Sequence, residues 1–522
     1  MTGNIYITGF MGSGKTTLAG TLAKILRRPF IDMDELFSKQ NDMPITSYFE
    51  TFGEEKFREA ETKLLHKIGL KKGRVVSTGG GVPISVKNRN IMRESGRIVH
   101  LDLSLNDCLS RLGTDADAVR PLWKDPVRVS ELYNKRRAAY EDCDIWIDAS
   151  NKTAVDLSWE ICERLHPRLS IDVNLGPTTH PMIITWRSPD EISTYSNEAK
   201  KFVVTDGCVF KLHMDRFSDV LQDATVVSLP AGERSKTLVS AKRLYESMLR
   251  EHLGRDSLVI AIGGGVITDL GAFVASTYKR GVKFILVSTS LVGCVDAAIG
   301  GKAAVDLKEV KNPVGCFTFP SAVVLDLRAL RSLPRRCISE GLVEAYKTGL
   351  VANHSLAELI EDNVVDLLKG DLLILSEVVR LSASAKAEIV GKDFRESGLR
   401  RILNFGHTYG HAVESFNNYG LSHGVAVAIG MMVATSLSEN RELMDTRRAT
   451  KIQATLRSFV KGRFVMPSFD EAWKIMMNDK KSRKGRITFV LLADCGEPVY
   501  VDDLQPDELE AAIQNVRDQQ NG

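Results

Sequence analysis

A glycine-rich loop near the amino end of the chain is the first motif whose residue types could do chemistry. Residues 9–16 read GFMGSGKT and fit the pattern GxxxxGK[ST] in full. Glycines let backbone N–H groups curl around a phosphate, and the N-terminus of the following helix adds partial positive charge. Lys15 can bridge the β- and γ-phosphates, and the Thr16 hydroxyl can coordinate Mg²⁺. The motif therefore predicts a phosphate loop that holds ATP with Mg²⁺.

Residues that could bind and activate a phosphate acceptor follow the loop. Asp32 and Asp34 end the second predicted strand, and the strand period of two puts both carboxylates on one side. One could serve the Mg²⁺ shell through water while the other accepts a proton from a hydroxyl, although both could instead cap the next helix. A glycine run and several arginines suit a small anionic ligand, although any one arginine alone is more often a surface residue. They are Arg58, Gly79–Gly81, Arg120 and Arg136.

A second glycine turn and a histidine cluster lie further along the chain. Gly263-Gly264-Gly265 follows an apolar run and precedes Asp269, so its N–H groups could approach a dinucleotide pyrophosphate, with a plain tight turn as the alternative. His407 and His411 are four residues apart and share one helical face, and His423 follows closely. Spacing alone indicates that His407 and His411 both bind metal, with hydrogen-bonded core histidines as the alternative.

Charged residues are scattered among small and apolar residues between the glycine turn and the histidines. Such charges are costly unless they are paired or bind something. Gly300-Gly301-Lys302 sets an accessible backbone beside a fixed cation, which suits a phosphate or a carboxylate. The other members of this group are Asp296, Lys311, Asn312, Glu344 and Lys347.

The elements that must position these residues alternate between strand-like and helical patterns. In residues 1–165, short β-rich runs alternate with amphipathic stretches, which predicts a parallel sheet with helices on both faces. His166-Pro167 stops a helical run and loop chemistry follows, so residues 166–180 are predicted as a linker. A second α/β region is predicted over 181–332, and a mainly helical region with one late strand over 333–522.

Bulk composition limits the class of protein. A chain of 522 residues is too long for one core, and 43% hydrophobic with 26% charged residues is ordinary for a soluble globular protein. The net charge of +3 gives no reason to expect nucleic acid or a membrane as partner. Eight cysteines without a CxxC pair indicate reduced thiols, and neither a signal peptide nor a membrane span is predicted. We therefore expect a cytoplasmic protein.

Across about residues 1–165 the chain resembles shikimate kinase. The resemblance rests on GFMGSGKTT, DMD, FRE, STGGG, RPL and RRAAY, although the family usually has proline where Ala138 stands. It implies that Asp34 activates the shikimate hydroxyl while Lys15 and Arg120 act on the transferred phosphate. Gluconate-type and nucleoside kinases are the rivals, and the arginine pair with Asp34 argues against them. The resemblance assigns shikimate to Asp34, Arg58, Gly79, Gly80, Gly81 and Arg136, and ATP with Mg²⁺ to Gly12, Ser13, Gly14, Lys15, Thr16, Thr17, Asp32, Arg111 and Arg120.

From about residue 171 to residue 522 the chain resembles 3-dehydroquinate synthase. The matching runs are long, and they include PAGERSKT, GGGVITDLGAFVASTYKRGV, STSLVGCVDAAIGGKAAVD, KNPVGCF, EGLVEAYKTG, RRILNFGHTYGHAVES and DKK. The resemblance implies that Glu344, His407 and His423 hold Zn²⁺ (or Co²⁺). It also implies that His411 contacts the substrate, which replaces the interpretation from spacing. Catalytic roles are implied for Lys302 and His411.

The same resemblance implies an NAD site and a site for 3-deoxy-arabino-heptulosonate 7-phosphate. Cys208, Phe394 and Val425 depart from the residues that the family usually has at these positions. The NAD residues would be Asp206, Glu233, Lys236, Gly264, Gly265, Asp269, Thr289 and Lys311. The substrate residues would be Arg280, Asp296, Lys302, Lys311, Asn312, Lys347, Lys386, Arg400, Asn404, His411 and, from the Lys480-Lys481 pair, Lys481.

Together the two resemblances imply a fusion of two enzymes of the shikimate pathway, in aromatic amino acid biosynthesis. Synthases of this family are usually dimers, which implies a homodimer through the second half. One alternative is a metal-dependent polyol dehydrogenase, but an uncharged polyol has no need of Lys302, Lys311, Lys347 and Arg400. The other alternative makes one half an inactive scaffold. It predicts lost catalytic residues, and none is lost in either half.

Overall fold

The computed structural model describes residues 2–112, 126–176, 178–196, 199–308, 310–417, 420–460, 464–478 and 487–521. The chain divides into two compact units. The first is Met1–Pro167 with the short segment Asp371–Ile374, and the second is Arg168–Gly370 with Leu375–Gly522. No helix in the described ranges is both long and apolar enough to cross a membrane.

Within its described part, the first unit is built on a five-stranded parallel sheet. The strand order is β2-β3-β1-β4-β5, and Tyr6 and Val76 on the central strands are fully buried. Parallel strands buried in this way need helices as cover, so the predicted sheet with covering helices is confirmed. The strands are β1 Asn4–Thr8, β2 Phe30–Asp32, β3 Val75–Ser77, β4 Gly96–Asp102 and β5 Ile145–Asp148.

The helices of the first unit connect these strands. α3 bends at Gly53, where φ is 80°. Thr153 forms a capping box with Asp156 at the start of the last helix, which ends before His166-Pro167 as predicted. The helices are α1 Lys15–Leu26, α2 Met33–Asn41, α3 Ile45–Gly69, α4 Val86–Ser95, α5 Leu105–Leu112, α6 Pro126–Glu141 and α7 Ala154–Leu165, with a 3₁₀ turn at Val82–Ile84.

The described part of the second unit begins with a seven-stranded sheet in the order β6-β7-β14-β11-β10-β8-β9. All neighbours are parallel except β6 and β7, and β12 pairs with β13 in a separate antiparallel hairpin. The strands are β6 Leu169–Asn174, β7 Thr179–Thr185, β8 Lys201–Asp206, β9 Thr225–Leu229, β10 Leu258–Gly263, β11 Lys283–Ser288, β12 Lys302–Leu307, β13 Val310–Phe317 and β14 Ala322–Asp326.

Helices cover this sheet and then dominate the rest of the second unit, as predicted. A π-helix, Gly293–Ala297, leads towards the hairpin, and a last hairpin pairs β15 with β16. The helices and remaining strands are α8 Ser188–Tyr195, α9 Gly207–His213, α10 Leu238–Arg250, α11 Gly265–Thr277, α12 Arg335–Ala352, α13 His354–Asp362, α14 Val364–Lys369, α15 Leu372–Lys392, α16 His407–Phe416, α17 His423–Asn440, α18 Thr446–Phe459, α19 Phe469–Asn478, β15 Phe489–Asp494, β16 Glu497–Val501 and α20 Pro506–Asn521, with 3₁₀ turns at Met214–Phe217, Glu233–Ser235, Tyr278–Arg280, Ala329–Ser332 and Leu399–Asn404.

The prediction of a linker over residues 166–180 needs a correction. Leu169–Asn174 forms β6, which pairs antiparallel with β7 from Thr179 onward. Leu169, Ile171 and Val173 alternate with polar residues, which is the pattern of an edge strand with one face covered. The turn residues after the strand obscured this pattern in the sequence.

Candidate active sites

The glycine-rich loop follows β1 and leads into α1 at the carboxyl edge of the first sheet. Gly14, the residue before α1, has φ 93°, a left-handed conformation that side chains rarely adopt. Lys15 begins α1, and its Nζ donates to the Phe10 carbonyl at 2.8 Å. Arg111 reaches the same loop, where its Nη1 donates to the Ser13 carbonyl at 3.3 Å. A helix N-terminus and two cations therefore meet at one place, which suits a polyphosphate.

Asp32 takes part in two interactions beside this loop. Its Oδ1 accepts from two N–H groups in the first turn of α2, at 3.0 and 3.2 Å, and so caps that helix. Its Oδ2 accepts from the Thr16 hydroxyl at 2.8 Å, and this hydroxyl lies 3.2 Å from Oγ of Ser77. Thr17 is exposed one residue further along α1. The capping alternative is thus correct for Asp32, and the clustered oxygens also fit Mg²⁺, which prefers hard oxygen ligands.

The glycines after β3 face the candidates for binding the acceptor. A Cβ built on Gly79 would lie 2.6 Å from Oδ1 of Asp34. A Cβ built on Gly81 would lie 2.3 Å from Nη1 of Arg58. A carboxylate and a guanidinium therefore approach two neighbouring glycines more closely than a side chain at either position would allow.

Gly80, between these two glycines, holds two further side chains. Its carbonyl accepts from the Tyr140 hydroxyl at 2.6 Å and from Nη1 of Arg136 at 3.4 Å. Nε of Arg136 is buried and finds no hydrogen-bond acceptor among the described residues. A buried cationic donor of this kind fits a carboxylate ligand. Arg120, the remaining candidate on this side, lies outside the described residues.

The Gly263–Gly265 turn joins β10 to α11 at the carboxyl edge of the second sheet. A Cβ on Gly263 would lie 2.6 Å from the Ile267 side chain, so the turn has no room for a side chain there. Thr289, at the end of β11, donates its N–H to the Gly263 carbonyl at 2.9 Å. Gly264 stands at the start of α11 without a side chain to cap the helix. An uncapped helix N-terminus at this edge of a parallel sheet fits a dinucleotide phosphate.

Two acidic candidates for the dinucleotide lie on neighbouring elements. Asp206 ends β8, and its Oδ1 accepts from the N–H groups of Cys208 and Val209 at 2.9 and 3.0 Å. It therefore caps α9, a structural role that the sequence analysis did not assign. Glu233 is exposed in its 3₁₀ turn.

Lys236 joins α11, the helix that follows the Gly263–Gly265 turn, to the β12–β13 hairpin. Its Nζ donates to Oδ2 of Asp269 at 2.5 Å and to Oδ1 of Asn312 at 2.6 Å. Burial lowers the pKa of Lys236, but the charge of Asp269 and the hydrogen bond to it outweigh this effect and raise the pKa. The charged, buried Nζ of Lys236 therefore holds both Asp269, a candidate for NAD binding, and Asn312, a candidate for substrate binding.

Glu344, His407 and His423 place their ligand atoms within 4.8 Å of one another. Nε2 of His407 lies 3.9 Å from Oε1 of Glu344, and Nε2 of His423 lies 3.5 Å from the same oxygen. That oxygen is buried and accepts no well-formed hydrogen bond from the described chain. An orphaned buried carboxylate oxygen is costly, and two imidazoles and one carboxylate are the donors that catalytic Zn²⁺ prefers. These residues therefore fit a metal ion.

Close packing of α16 against α17 brings the two histidines together. His407 and His423 are the first residues of these helices, and their ring centroids lie 5.5 Å apart. A Cβ on Gly430 would lie 1.8 Å from the carbonyl oxygen of Gly406, so main chain touches main chain at this crossing. Gly406 itself has φ 77°. Glycine at both positions is what permits the short distance between the histidines.

Charged side chains border Glu344, His407 and His423, which we call the metal-type group. Nζ of the buried Lys347 donates to Oε2 of Glu344 at 2.5 Å. Glu414 accepts from Nζ of Lys311 at 2.8 Å and lies 3.3 Å from Nδ1 of His423. Burial lowers the pKa of His423, but the neighbouring carboxylates of Glu344 and Glu414 outweigh it and raise the pKa to about 10. A carboxylate therefore lies beside Lys311, Lys347 and His423.

Two more cations proposed to bind the substrate, Lys386 and Lys302, are held by carboxylates. Nζ of Lys386 donates to Oδ1 of Asp296 at 2.5 Å and to its carbonyl at 2.6 Å. Burial lowers the pKa of Lys386 to about 8, although Asp296 opposes the shift. Lys302 contacts Glu396, which also accepts from Nδ2 of Asn404 at 3.0 Å. The structure thus links Lys302 with Asn404 through one acidic residue.

The remaining substrate candidates are Arg280, Arg400, His411 and Lys481. Arg400 is buried and donates to two backbone carbonyls, at 3.1 and 2.8 Å. The His411 ring lies 5.5 Å from that of His407 but is not one of the three clustered ligands. Arg280 is exposed at φ 68°, and the described chain shows no ion pair that joins it to the cleft. Lys481 lies outside the described residues.

Sequence reasoning missed three carboxylates that hold the predicted cations. Glu61 pairs with Arg58 at 2.9 Å, and burial raises its pKa against the charge of Arg58. Glu396 and Glu414 are the other two. Glu61 follows Arg58 by three residues and Glu414 follows His407 by seven, so helical periodicity could have found both. Glu396 lies outside a helix and carried no such signal.

Comparisons with known proteins give matches over both units. The family model for shikimate kinase matches residues 11–166. The model for the N-terminal part of 3-dehydroquinate synthase matches residues 226–340, and that for the C-terminal part matches residues 341–482.

Three individual relatives show how far the similarity extends. The 3-dehydroquinate synthase of Thermoanaerobacter pseudethanolicus is 37% identical over 63% of this chain and 95% of that protein. ValA, a 2-epi-5-epi-valiolone synthase from Streptomyces hygroscopicus solved with NAD⁺ and Zn²⁺ bound, has a TM-score of 0.62 and 25% identity, and the match covers 66% of this chain and 98% of that one. The bifunctional shikimate kinase/3-dehydroquinate synthase of Thermotoga maritima is 31% identical over 97% of this chain and 98% of that protein. Because this last match runs almost from end to end, the chain belongs to the bifunctional shikimate kinase/3-dehydroquinate synthase family.

Proposed function

We propose that the chain catalyses two reactions of aromatic amino acid biosynthesis. The first unit transfers a phosphoryl group from ATP to shikimate and forms shikimate 3-phosphate. The second converts 3-deoxy-arabino-heptulosonate 7-phosphate to 3-dehydroquinate and phosphate with NAD and a divalent metal. For the second reaction, the observation that carries the proposal is the Glu344, His407 and His423 group, bordered by cations that suit an anionic substrate.

In the kinase reaction, the residues around the loop neutralise and orient the reactants. Lys15 and Arg111 lie at the loop that would receive the phosphates, and Arg120 is proposed to meet the transferred group. Mg²⁺, bound through Thr16 and Asp32, would offset charge on the ATP phosphates.

The acceptor pocket supplies the proton chemistry of the kinase. Asp34 lies against Gly79, where it can accept the proton of the shikimate hydroxyl. Arg58 and Arg136 would bind the shikimate carboxylate through charge-assisted hydrogen bonds. Their approach to the same three glycines supports one shared ligand.

In the synthase reaction, the metal and NAD would supply polarisation of substrate oxygens and reversible hydride transfer, respectively. Glu344, His407 and His423 would hold the metal, while the Gly264 turn and Asp269 would hold NAD. The chain's own residues orient the substrate and handle its charge. That work is proposed for Asp296, Lys302, Lys311, Asn312, Lys347, Lys386, Arg400, Asn404 and His411.

His411 is placed to handle a proton near the metal-type group. Its ring centroid lies 5.5 Å from that of His407 and 6.3 Å from that of His423. At that distance it can contact a substrate bound there without occupying a ligand position. Lys302 is the proposed second catalytic group, and its contact with Glu396 links it to Asn404, another substrate candidate.

Purified full-length protein should be assayed for both reactions, with metal content measured on the same sample. Lys15→Ala should abolish shikimate phosphorylation and leave cyclisation nearly unchanged, and His423→Ala should do the reverse. Lys24→Ala on the exposed side of α1 and His354→Ala on α13 are matched controls that should affect neither. A single substitution that silences both reactions in folded protein would contradict two independent sites.

We further propose that the protein acts in the cytoplasm, binds no nucleic acid and forms a homodimer through the synthase part. The near-neutral charge balance of 69 basic and 66 acidic residues supports the absence of a nucleic-acid role. Light scattering of the full chain tests the dimer, and a monomer at micromolar concentration would contradict it.

A further inference from the structure

A buried carboxylate on α16 stands between the metal-type group and the β12–β13 hairpin. Glu414 lies seven residues after His407 on the same helix, and its side chain is only 3% exposed. We propose that Glu414 is a positioning residue that fixes His423 for the metal and Lys311 for the anionic substrate at once. This inference rests on the proposed synthase function and assigns a residue that the sequence analysis did not name.

The two oxygens of Glu414 serve two different partners. Oε1 accepts from Nζ of Lys311 at 2.8 Å, and Oε2 lies 3.3 Å from Nδ1 of His423. A carboxylate has lone pairs enough for both, so neither contact competes with the other. Lys311 is on β13, 103 positions before Glu414, and the contact therefore joins distant parts of the unit.

The contact with His423 settles which ring nitrogen faces the metal-type group. With Nδ1 directed at Glu414, Nε2 is the nitrogen 3.5 Å from Oε1 of Glu344. His407 has the same arrangement with a neutral acceptor, because its Nδ1 lies 3.2 Å from the Phe405 carbonyl. Acceptors of this kind orient metal-binding histidines, and their removal typically weakens metal affinity about 10- to 100-fold.

The contact with Lys311 extends the effect of Glu414 to the residues proposed to bind the anionic substrate. Asn312, the residue after Lys311, accepts a hydrogen bond from Lys236. Lys236 also donates to Asp269 on α11. Glu414 thus connects the metal-type group to β13, whose Asn312 contacts Lys236, the partner of Asp269 on α11. Removal of its charge should take one partner from Lys311 and raise KM for an anionic substrate, in addition to its effect on the metal.

The test separates these two effects in the full-length protein. Glu414→Gln keeps the size of the side chain and removes its charge. We expect Co²⁺ and Zn²⁺ affinity to fall about 10- to 100-fold in chelator competition, a readout that needs no turnover. We also expect KM for the heptulosonate phosphate to rise in metal-saturated enzyme. Lys311→Met should raise KM alone and leave the metal affinity unchanged.

A double substitution tests whether the two contacts act as one unit. Because Glu414 acts on substrate binding through Lys311, Glu414→Gln with Lys311→Met should raise KM by less than the product of the single effects. Glu361→Gln is the control, since the Glu361 side chain is also buried but contacts Arg448, Lys451 and the Tyr346 hydroxyl and none of the three metal-ligand candidates. It should change stability without changing metal affinity or KM.

The outcomes distinguish failure of this inference from failure of the proposed function. Wild-type protein that binds no metal and releases no phosphate refutes the function itself. Wild-type protein that does both, while Glu414→Gln keeps the same metal affinity and KM, overturns only the role of Glu414. If Glu414→Gln does not fold, Glu414→Asp retains the charge on a shorter chain and should give a smaller loss of metal affinity. An unchanged affinity in that variant would also overturn the inference.

Discussion

Substitution of Gly81 by alanine gives a sharp test of the shikimate pocket. Gly81 has φ −92° and ψ −19°, which alanine adopts without strain, so the backbone should not change. The new Cβ would lie 2.3 Å from Nη1 of Arg58. Ordinary contact needs about 3.5 Å, so the guanidinium must move by about 1.2 Å. The Arg58 side chain is one-third exposed and can retreat, which keeps the folding cost small.

The displaced arginine should lose its charge-assisted contact with the shikimate carboxylate. A hydrogen bond to a charged group contributes about 1.5–3 kcal/mol, which corresponds to a rise in KM for shikimate of about 10- to 100-fold. KM for ATP and the thermal unfolding temperature should stay near wild type. Gly20→Ala is the control, because its Cβ would meet nothing within 4 Å on the exposed side of α1. An unchanged KM for shikimate in Gly81→Ala would refute the placement of Arg58 at the substrate.

Three further expectations concern the synthase. The Lys386 pKa, lowered to about 8 by burial against the opposing charge of Asp296, predicts that kcat/KM falls as pH rises through 8, because the ammonium loses its proton. Lys386→Arg should move that limb to higher pH, and a limb that stays in place would count against this lysine. Gly430→Ala should lower the free energy of unfolding by about 1–3 kcal/mol and weaken metal binding, because its Cβ would meet the Gly406 carbonyl. Denaturant unfolding and metal titration check this, and wild-type values in both would disprove it. With catalytic NAD, released phosphate should far exceed the NAD present while NADH absorbance stays flat. Stoichiometric NADH without phosphate would instead favour a dehydrogenase.

The fold was predictable wherever one pattern dominated a segment. Three examples are strands formed by β-rich runs between clear turn or helix signals: Phe30–Asp32, Thr225–Leu229 and Lys283–Ser288. The β12–β13 hairpin was interpreted only as charges among small residues. Only Ala303 and Val305 of β12 are buried, and every residue of β13 is exposed or half-buried. The hairpin is defined by the antiparallel pairing of its two strands, which the sequence does not display.

Candidate residues were predictable by type, whereas their partners were not. Lys302 and Lys311 were visible as cations beside glycine or asparagine. Glu396 and Glu414 lie 94 and 103 positions further along the chain, a separation over which a single sequence carries no pairing information. The capping role of Asp206 was missed although a helix begins directly after it, because the resemblance assigned this residue to NAD.

The π-helix at Gly293–Ala297 has a consequence for how this segment can change. The Ala298 N–H bonds to the Gly293 carbonyl at 3.1 Å, five residues back, so the ring holds one residue more than an α-helical ring. Deletion of a single residue would restore the shorter ring and rotate the downstream residues by about 100°. Asp296 would then turn away from Lys386, and the loop that leads into β12 would leave the helix in a different direction. This stretch should therefore accept replacements of residue type far more readily than any insertion or deletion, since its length encodes the direction of every side chain up to Lys302.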